Sequence, residues 1–210
     1  ESDLLTLTQW LSPAFPLGSF AYSHGLETAL ARADVTDAQS FELWLRDVLR
    51  FGAGRVDAVL LIHAMDPAAD LRALAALARA LAPSRERHAE TMDQGANFVR
   101  TINALNGSDL PAMALPVALG AACQSLDLRP EQVAALYLQA FASNLVSVAV
   151  RFVALGQTEG QAGLPRLRPI FAALAQEASG TRLDQIGSGA LAADMAAMEH
   201  ETQEVRLFKT

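Results

Sequence analysis

RPEQVAALYLQAFASNLVSVAVRFVAL, residues 129–155, reads as one long helix. Arg129-Pro130-Glu131 is a good start, because proline at the first helical position gives up an N–H that has no partner there anyway. Gly156 is placed to cap the far end. About 25 residues at 1.5 Å each span roughly 37 Å. From Ala140 to Leu155 the helix is apolar nearly all round, which predicts a buried central helix over about 131–155. Asn144 and Arg151 interrupt that run, and it falls short of the roughly 20 apolar residues of a membrane span. Arg151 stands out within it. A buried guanidinium needs an ion-pair partner or must snorkel to water; otherwise it is a charged anchor in a protein interface, where arginine is enriched.

Outward from this helix the chain stays helical. Alanine makes up roughly a fifth of the 210 residues, and no period-two alternation persists. Leu4–Leu11 is a short helix that Ser12-Pro13 ends. Pro13, Pro16 and Gly18 shape a turn, and a helix is expected over about Phe20–Arg32. Thr36–Gln39 fits a capping box. Phe41, Trp44, Leu45, Val48 and Leu49 then recur at i, i+3, i+4, i+7, i+8, one stripe of an amphipathic helix. Gly52 and Gly54 interrupt it, and Arg55–Met65 resumes. Further helices are expected around Leu71–Leu81, Phe98–Leu105, Pro116–Leu126, Arg168–Ala178 and Ser188–Gln203, with a second capping box at Thr158–Gln161. The expectation is an all-α, single-domain multi-helix bundle over 1–210.

Composition narrows the function classes. Lys+Arg is 16 against Asp+Glu 23, a net charge of −7, which argues against a nucleic-acid binder. One cysteine excludes a disulfide framework and suits a reducing compartment. Cys123, in an apolar segment, reads as a small buried hydrophobe. The acidic opening Glu1-Ser2-Asp3 has no charged n-region before an apolar h-region, so the expected location is cytoplasmic, without membrane attachment.

Catalytic templates are missing. No phosphate loop occurs, and no G-x-S-x-G elbow. His200-Glu201-Thr202-Gln203-Glu204 looks like a zincin helix, but Glu204 occupies the place of the second histidine. His24 and Glu27, at i and i+3, could share a metal, but such a pair is more often a surface or capping contact. His63 and His88 have no partner at ligand spacing. No cofactor, metal or catalytic residue is assigned.

Ser12–Glu27 is the other anomaly. It gathers Pro13, Pro16, Gly18, Gly25, Phe15, Phe20, Tyr22, Ser23 and His24, either as a loop packed on the core or as an exposed partner surface where Phe and Tyr are enriched.

Three blocks carry a resemblance: SPAFPLGSFAYSHGLE, residues 12–27; Ser143-Asn144-Leu145-Val146-Ser147 through Arg151, with Leu155-Gly156-Gln157-Thr158; and Met198, His200-Glu201-Thr202-Gln203, Arg206-Leu207-Phe208. In order and at compatible spacing, they resemble UreF, a family of urease accessory proteins. Ser19, Glu199 and Glu204 depart from the pattern, where the family commonly has Gly, Arg and Tyr. The resemblance implies an all-α protein that is not an enzyme. It implies a homodimer that binds UreH (also called UreD), recruits the GTPase UreG and helps deliver nickel to apo-urease, whose active-site lysine is carbamylated. It implies an action on the GTPase cycle of UreG. The candidate partner-binding residues are Pro16, Gly18, Phe20, Tyr22, Ser23, His24, Glu27, Arg151, Gln157, His200, Glu201, Arg206 and Phe208. They fall in an N-terminal segment (1–27), the middle block and a C-terminal segment (199–210). Phe20 and Tyr22 would anchor the GTPase. Residues 200–208 would order on binding UreH, with Phe208 a hot spot. Arg151 or Arg206 could serve as an arginine finger. Two rival readings are a helical ligand-responsive regulator and a small all-α enzyme using His24/Glu27 or His200/Glu201. Residues 1–31 hold no Lys or Arg, which argues against an N-terminal DNA-reading helix.

Overall fold

A computed structural model describes residues 1–152 and 155–209. Its helices run α1 Ser2–Trp10, α2 Leu26–Ala31, α3 Ala38–Phe51, α4 Ala53–Ala64, α5 Leu71–Ala80, α6 Arg85–Asn106, α7 Leu115–Cys123, α8 Pro130–Phe152, α9 Gln157–Gly180 and α10 Leu191–His200. Short 3-10 turns at Ser19–Ala21 and Leu183–Gln185 complete the set. Among the described residues there is no strand, and the protein is an all-α multi-helix bundle.

The innermost helix is α7. All nine of its residues, LPVALGAAC, are buried. It packs on α4, α5 and α6, and small residues set how closely. A Cβ at Gly120 would lie 2.4 Å from the Leu61 carbonyl oxygen, so α7 and α4 meet backbone to backbone. Cys123 is wholly enclosed here, and burial pushes its thiol up to about 12, the behaviour of a small hydrophobe rather than a nucleophile.

The long helix α8 buries one stripe, including Val133, Tyr137, Leu138, Ala142, Leu145, Val146 and Ala149, against α9 and α4. Its other side stays open at Ser147, Arg151 and Phe152. Arg151 is therefore exposed, and the readings that bury it are corrected. Among the described residues α8 alone is long and apolar enough to cross a membrane, and half of its most apolar window is buried within the protein. The expected end at Leu155 touches Val153 and Ala154, which lie outside the described residues. Gly156, with φ −66°, is the N-cap of α9 rather than a C-cap.

Four expectations shift for identifiable reasons. The expected helix over Phe20–Arg32 is instead a turn, an extended Tyr22 and the short α2, because Gly18 (φ 79°), His24 (φ 59°) and Gly25 (φ 80°) take left-handed conformations that a helix cannot hold. The capping box of α3 lies one residue on: Asp37 accepts from the Ser40 N–H at 2.8 Å, and the Ser40 hydroxyl accepts from the Asp37 N–H at 3.0 Å. α9 begins at Gln157, well before Arg168, and carries Pro165 and Pro169 inside it. Burial of Leu167, Phe171 and Leu174 keeps it helical through residues that would end an isolated helix. Finally, α6 begins at Arg85 rather than near Phe98.

That early start rests on Ser84, whose hydroxyl accepts from the Arg87 N–H at 3.0 Å and is itself buried. Ser84→Ala leaves this N–H unmet. The expected loss, read from a urea unfolding midpoint, is about 1 kcal/mol.

Candidate functional site

The inner face of α6 places Arg87, Glu90, Thr91 and Gln94 at i, i+3, i+4 and i+7, all buried. They form a polar stripe facing the core. Arg87 Nη2 lies 3.0 Å from Asp57 Oδ2 on α4, and its Nη1 lies 3.4 Å from Glu90. The Tyr137 hydroxyl, from α8, donates to Asp57 at 2.7 Å. His24 Nδ1 stands 3.3 Å from Glu90, and Gln94 donates to Glu90 at 3.3 Å. The N-terminal segment, α4, α6 and α8 are thus joined by one buried polar cluster. Two carboxylates compete for one guanidinium. Burial pushes both up. At Glu90 the Arg87 charge, His24 and the bonds from His24 and Gln94 outweigh it and hold the carboxyl below its usual range. At Asp57 burial wins over Arg87 and Tyr137.

A second cluster joins the two ends of the chain. His200, wholly buried at the end of α10, points Nδ1 at Glu86 Oε2 (2.6 Å) and Nε2 at Glu27 Oε2 (3.1 Å). The other oxygen of Glu86 accepts from Arg206 at 2.6 Å. Glu27 also accepts the backbone N–H groups of Leu207 (2.8 Å) and Phe208 (3.0 Å). Lys209 N–H donates to the Ala21 carbonyl at 2.8 Å, and Thr28 donates to Gln203 at 3.2 Å. The Phe208 ring meets Phe152 edge-on at 4.8 Å between centroids. Glu201 accepts from the Arg85 N–H at 2.7 Å and pairs with its guanidinium. Glu199 pairs with Arg32, and Glu204 is exposed. Close packing of α2 on α10 requires Gly25, whose added Cβ would sit 2.9 Å from the Ala197 nitrogen.

The first and third sequence blocks are therefore one site. Glu27 meets His200 and the Phe208 N–H directly, and Arg206 joins them through Glu86, with Glu201 nearby on Arg85. His24 and Glu27 turn to different clusters, so their i, i+3 spacing does not converge on a shared ligand. Among the described residues no group of three or more His, Cys, Asp or Glu is arranged to hold a metal ion. Tyr22 is a core residue, its hydroxyl 2.7 Å from Asp93, and burial followed by Asp93 pushes its ionisation well upward. Its reading as an exposed anchor is corrected. Ser23 is buried and accepts from the Glu27 N–H at 3.2 Å. His63 bonds the Thr181 carbonyl at 2.8 Å.

The remaining candidates lie apart from the joined ends. Phe20 is 64% exposed. Phe20 and Arg151 both line a groove of about 530 Å³ with Trp10, Phe98, Leu119 and Phe141. Pro16 and Gln157 are exposed, and Gly18 is half-buried with its left-handed φ. Of the two arginines weighed for phosphoryl chemistry, Arg206 is tied to Glu86 while Arg151 stands exposed.

Sequence reasoning missed Glu86, Arg87, Glu90 and Asp57. The signal was a polar stripe at helical spacing, 87, 90, 91 and 94, continuing directly into the apolar stripe of Phe98, Val99 and Ile102.

The family profile described as UreF matches residues 35–168. Relatives extend across both terminal blocks. The chain is 61% identical over 210 residues to the urease accessory protein UreF of Cereibacter sphaeroides strain KD131, covering all of both chains. It is 52% identical over 207 residues to that of Jannaschia sp. strain CCS1, covering 99% of this chain and 94% of the relative. To that of Paracoccus denitrificans strain Pd 1222 it is 47% identical over 210 residues, covering 100% and 97%. With the whole helical body and both joined termini inside that similarity, the chain belongs to the UreF family of urease accessory proteins.

Proposed function

We propose that this chain works in urease maturation as a non-catalytic cytoplasmic scaffold. As a homodimer it binds UreH/UreD through its C-terminal segment and recruits the GTPase UreG, so that nickel reaches apo-urease. The supporting observation is the face built by α10 and the tail. Leu191, Met195 and Met198 recur at i, i+4 and i+7 and are 72%, 53% and 47% exposed, and Val205 (76%) and Leu207 (67%) extend the apolar surface. Large apolar side chains left exposed in one segment suit a protein partner. Leu191 and Met195 join the candidates found from sequence.

The expectation that residues 200–208 order only on docking is revised. In the chain alone they are already held by Glu27 and Glu86. A pre-placed segment loses less ordering entropy on binding. Phe208 then acts as the strut that seats the tail on Phe152. Phe208→Ala is expected to weaken UreH/UreD binding by more than about 1 kcal/mol, roughly fivefold, measured by titration calorimetry; unchanged affinity removes Phe208 from the interface.

Light scattering on a sizing column tests the whole scheme. The expected result is a dimer that takes up UreH/UreD, with UreG joining in a nucleotide-dependent way. A lasting monomer that takes up neither partner refutes it.

A further inference from the structure

The chain has five methionines, and the fold sorts them by access. Met113 and Met65 belong to the core, 2% and 8% exposed, and Met92 is half-buried on α6. Met195 and Met198 stand open at 53% and 47%. The geometry of α10 accounts for the difference. Its buried line is Ala193, Ala196, Ala197 and His200. Positions 195 and 198, neighbours at i and i+3, fall on the other side with Leu191. A thioether is a soft, oxidisable sulfur. The sixth sulfur, the Cys123 thiol, is wholly enclosed, and burial pushes it up to about 12. It stays un-ionised and offers an oxidant no accessible thiolate. Oxidising chemistry on the folded chain therefore meets α10 first.

We infer that Met195 and Met198 form a paired oxidation site, at which a hydroperoxide turns the outer face of α10 from apolar to polar. Each event is a two-electron oxygen transfer. The thioether sulfur attacks the terminal peroxide oxygen, the O–O bond breaks and an S=O bond forms. The remaining oxygen keeps the bonding pair, takes the proton from the transferred oxygen and leaves as water, or as an alcohol from an organic peroxide. Sulfur is oxidised and the peroxide reduced, with no further reagent. A sulfoxide oxygen accepts hydrogen bonds from water, and burying it against a partner that offers no donor is costly. Where the α10 face is the UreH/UreD surface, the oxidised chain docks more weakly until a methionine sulfoxide reductase removes the oxygen. That consequence rests on the proposed function. The selectivity of the site is a property of this chain alone.

The test is graded hydrogen peroxide on the folded full-length chain, followed by peptide mapping in a mass spectrometer. Oxygen is expected on Met195 and Met198 before Met65, Met92 or Met113, and the same dose in urea should erase the order, because burial does the sorting. Equal oxidation of all five in the folded chain, or a buried methionine reacting first, overturns the site. The second arm titrates UreH/UreD by calorimetry before and after treatment. Affinity is expected to fall about fivefold or more and to return after incubation with a methionine sulfoxide reductase. The double variant Met195→Leu, Met198→Leu keeps apolar side chains of similar volume and is compared with its own untreated form, where peroxide is expected to change nothing. Selective oxidation with unchanged affinity overturns the effect on docking. An untreated chain that binds no UreH/UreD refutes the scaffold reading instead. The change in polarity is then read from a hydrophobic-interaction column, where the oxidised chain must elute earlier; equal retention overturns it.

Discussion

Arg87→Met is expected to lower the unfolding free energy by about 3–5 kcal/mol, the cost of leaving buried charge unpaired. Out of a typical total of about 5–15 kcal/mol, that is a large fraction. Arg87 is the guanidinium between Asp57 and Glu90, and all three are buried. Its removal takes their shared guanidinium from two buried carboxylates, while Tyr137 still bonds Asp57, and His24 and Gln94 still bond Glu90. A urea titration by circular dichroism measures the loss; a midpoint unchanged from the parent would show that the cluster contributes nothing. The cluster also shapes acid stability, with opposing signs. Glu90, held below the usual carboxylate range, stabilises the fold above that range and loses this as pH falls through it. Asp57, pushed up by burial, acts in the opposite sense and at higher pH, its contribution being lost as pH rises from the usual carboxylate range toward its raised folded value.

Gly95→Ala is the second large effect, expected to cost about 3 kcal/mol or more, beyond ordinary overpacking. The new Cβ would lie 1.8 Å from the Met113 carbonyl oxygen and 2.7 Å from the Leu115 nitrogen. These are backbone atoms, so no side chain can swing aside, and α6 must part from the entry to α7. The helix-propensity gain of alanine, about 1 kcal/mol, is too small to offset this. Gly163→Ala in α9 is the matched control. Its Cβ would meet only the end of Arg166, at 3.8 Å, so propensity prevails and stability rises by about 0.5–1 kcal/mol. Thermal melts of the two variants should move in opposite directions. A common direction would mean that backbone contact at α6 and α7 is not what limits residue 95.

How much of this was legible in the sequence follows from what each residue advertises. The stripe Phe41, Trp44, Leu45, Val48 and Leu49 is buried on α3 as read, because apolar periodicity reports burial directly. The first half of α6 escaped, because its inward residues are polar and periodicity was sought among apolar ones. The broken segment from Phe20 to Arg32 escaped because left-handed turns at His24 and Gly25 depend on where α10 presses, which is tertiary information. The joined ends were visible as two blocks of the family pattern, yet nothing local linked Glu27 to His200. His200 meets Glu27 directly and Glu86 on its other side, and Glu86 lies in a stretch with no element expected from sequence. The departing Glu199 found Arg32, a partner unrelated to it in the chain.

The bond from the Leu207 N–H to Glu27 closes a separation of 180 residues. A contact of such long sequence separation costs loop-closure entropy before it rewards the chain. During synthesis the N-terminal segment emerges early and waits for its last contacts until nearly everything else has been made. Only a chain extended as far as Phe208 satisfies Glu27. Without the tail Glu27 loses two backbone donors, so the hold on the N-terminal segment is shared between the two ends of the chain.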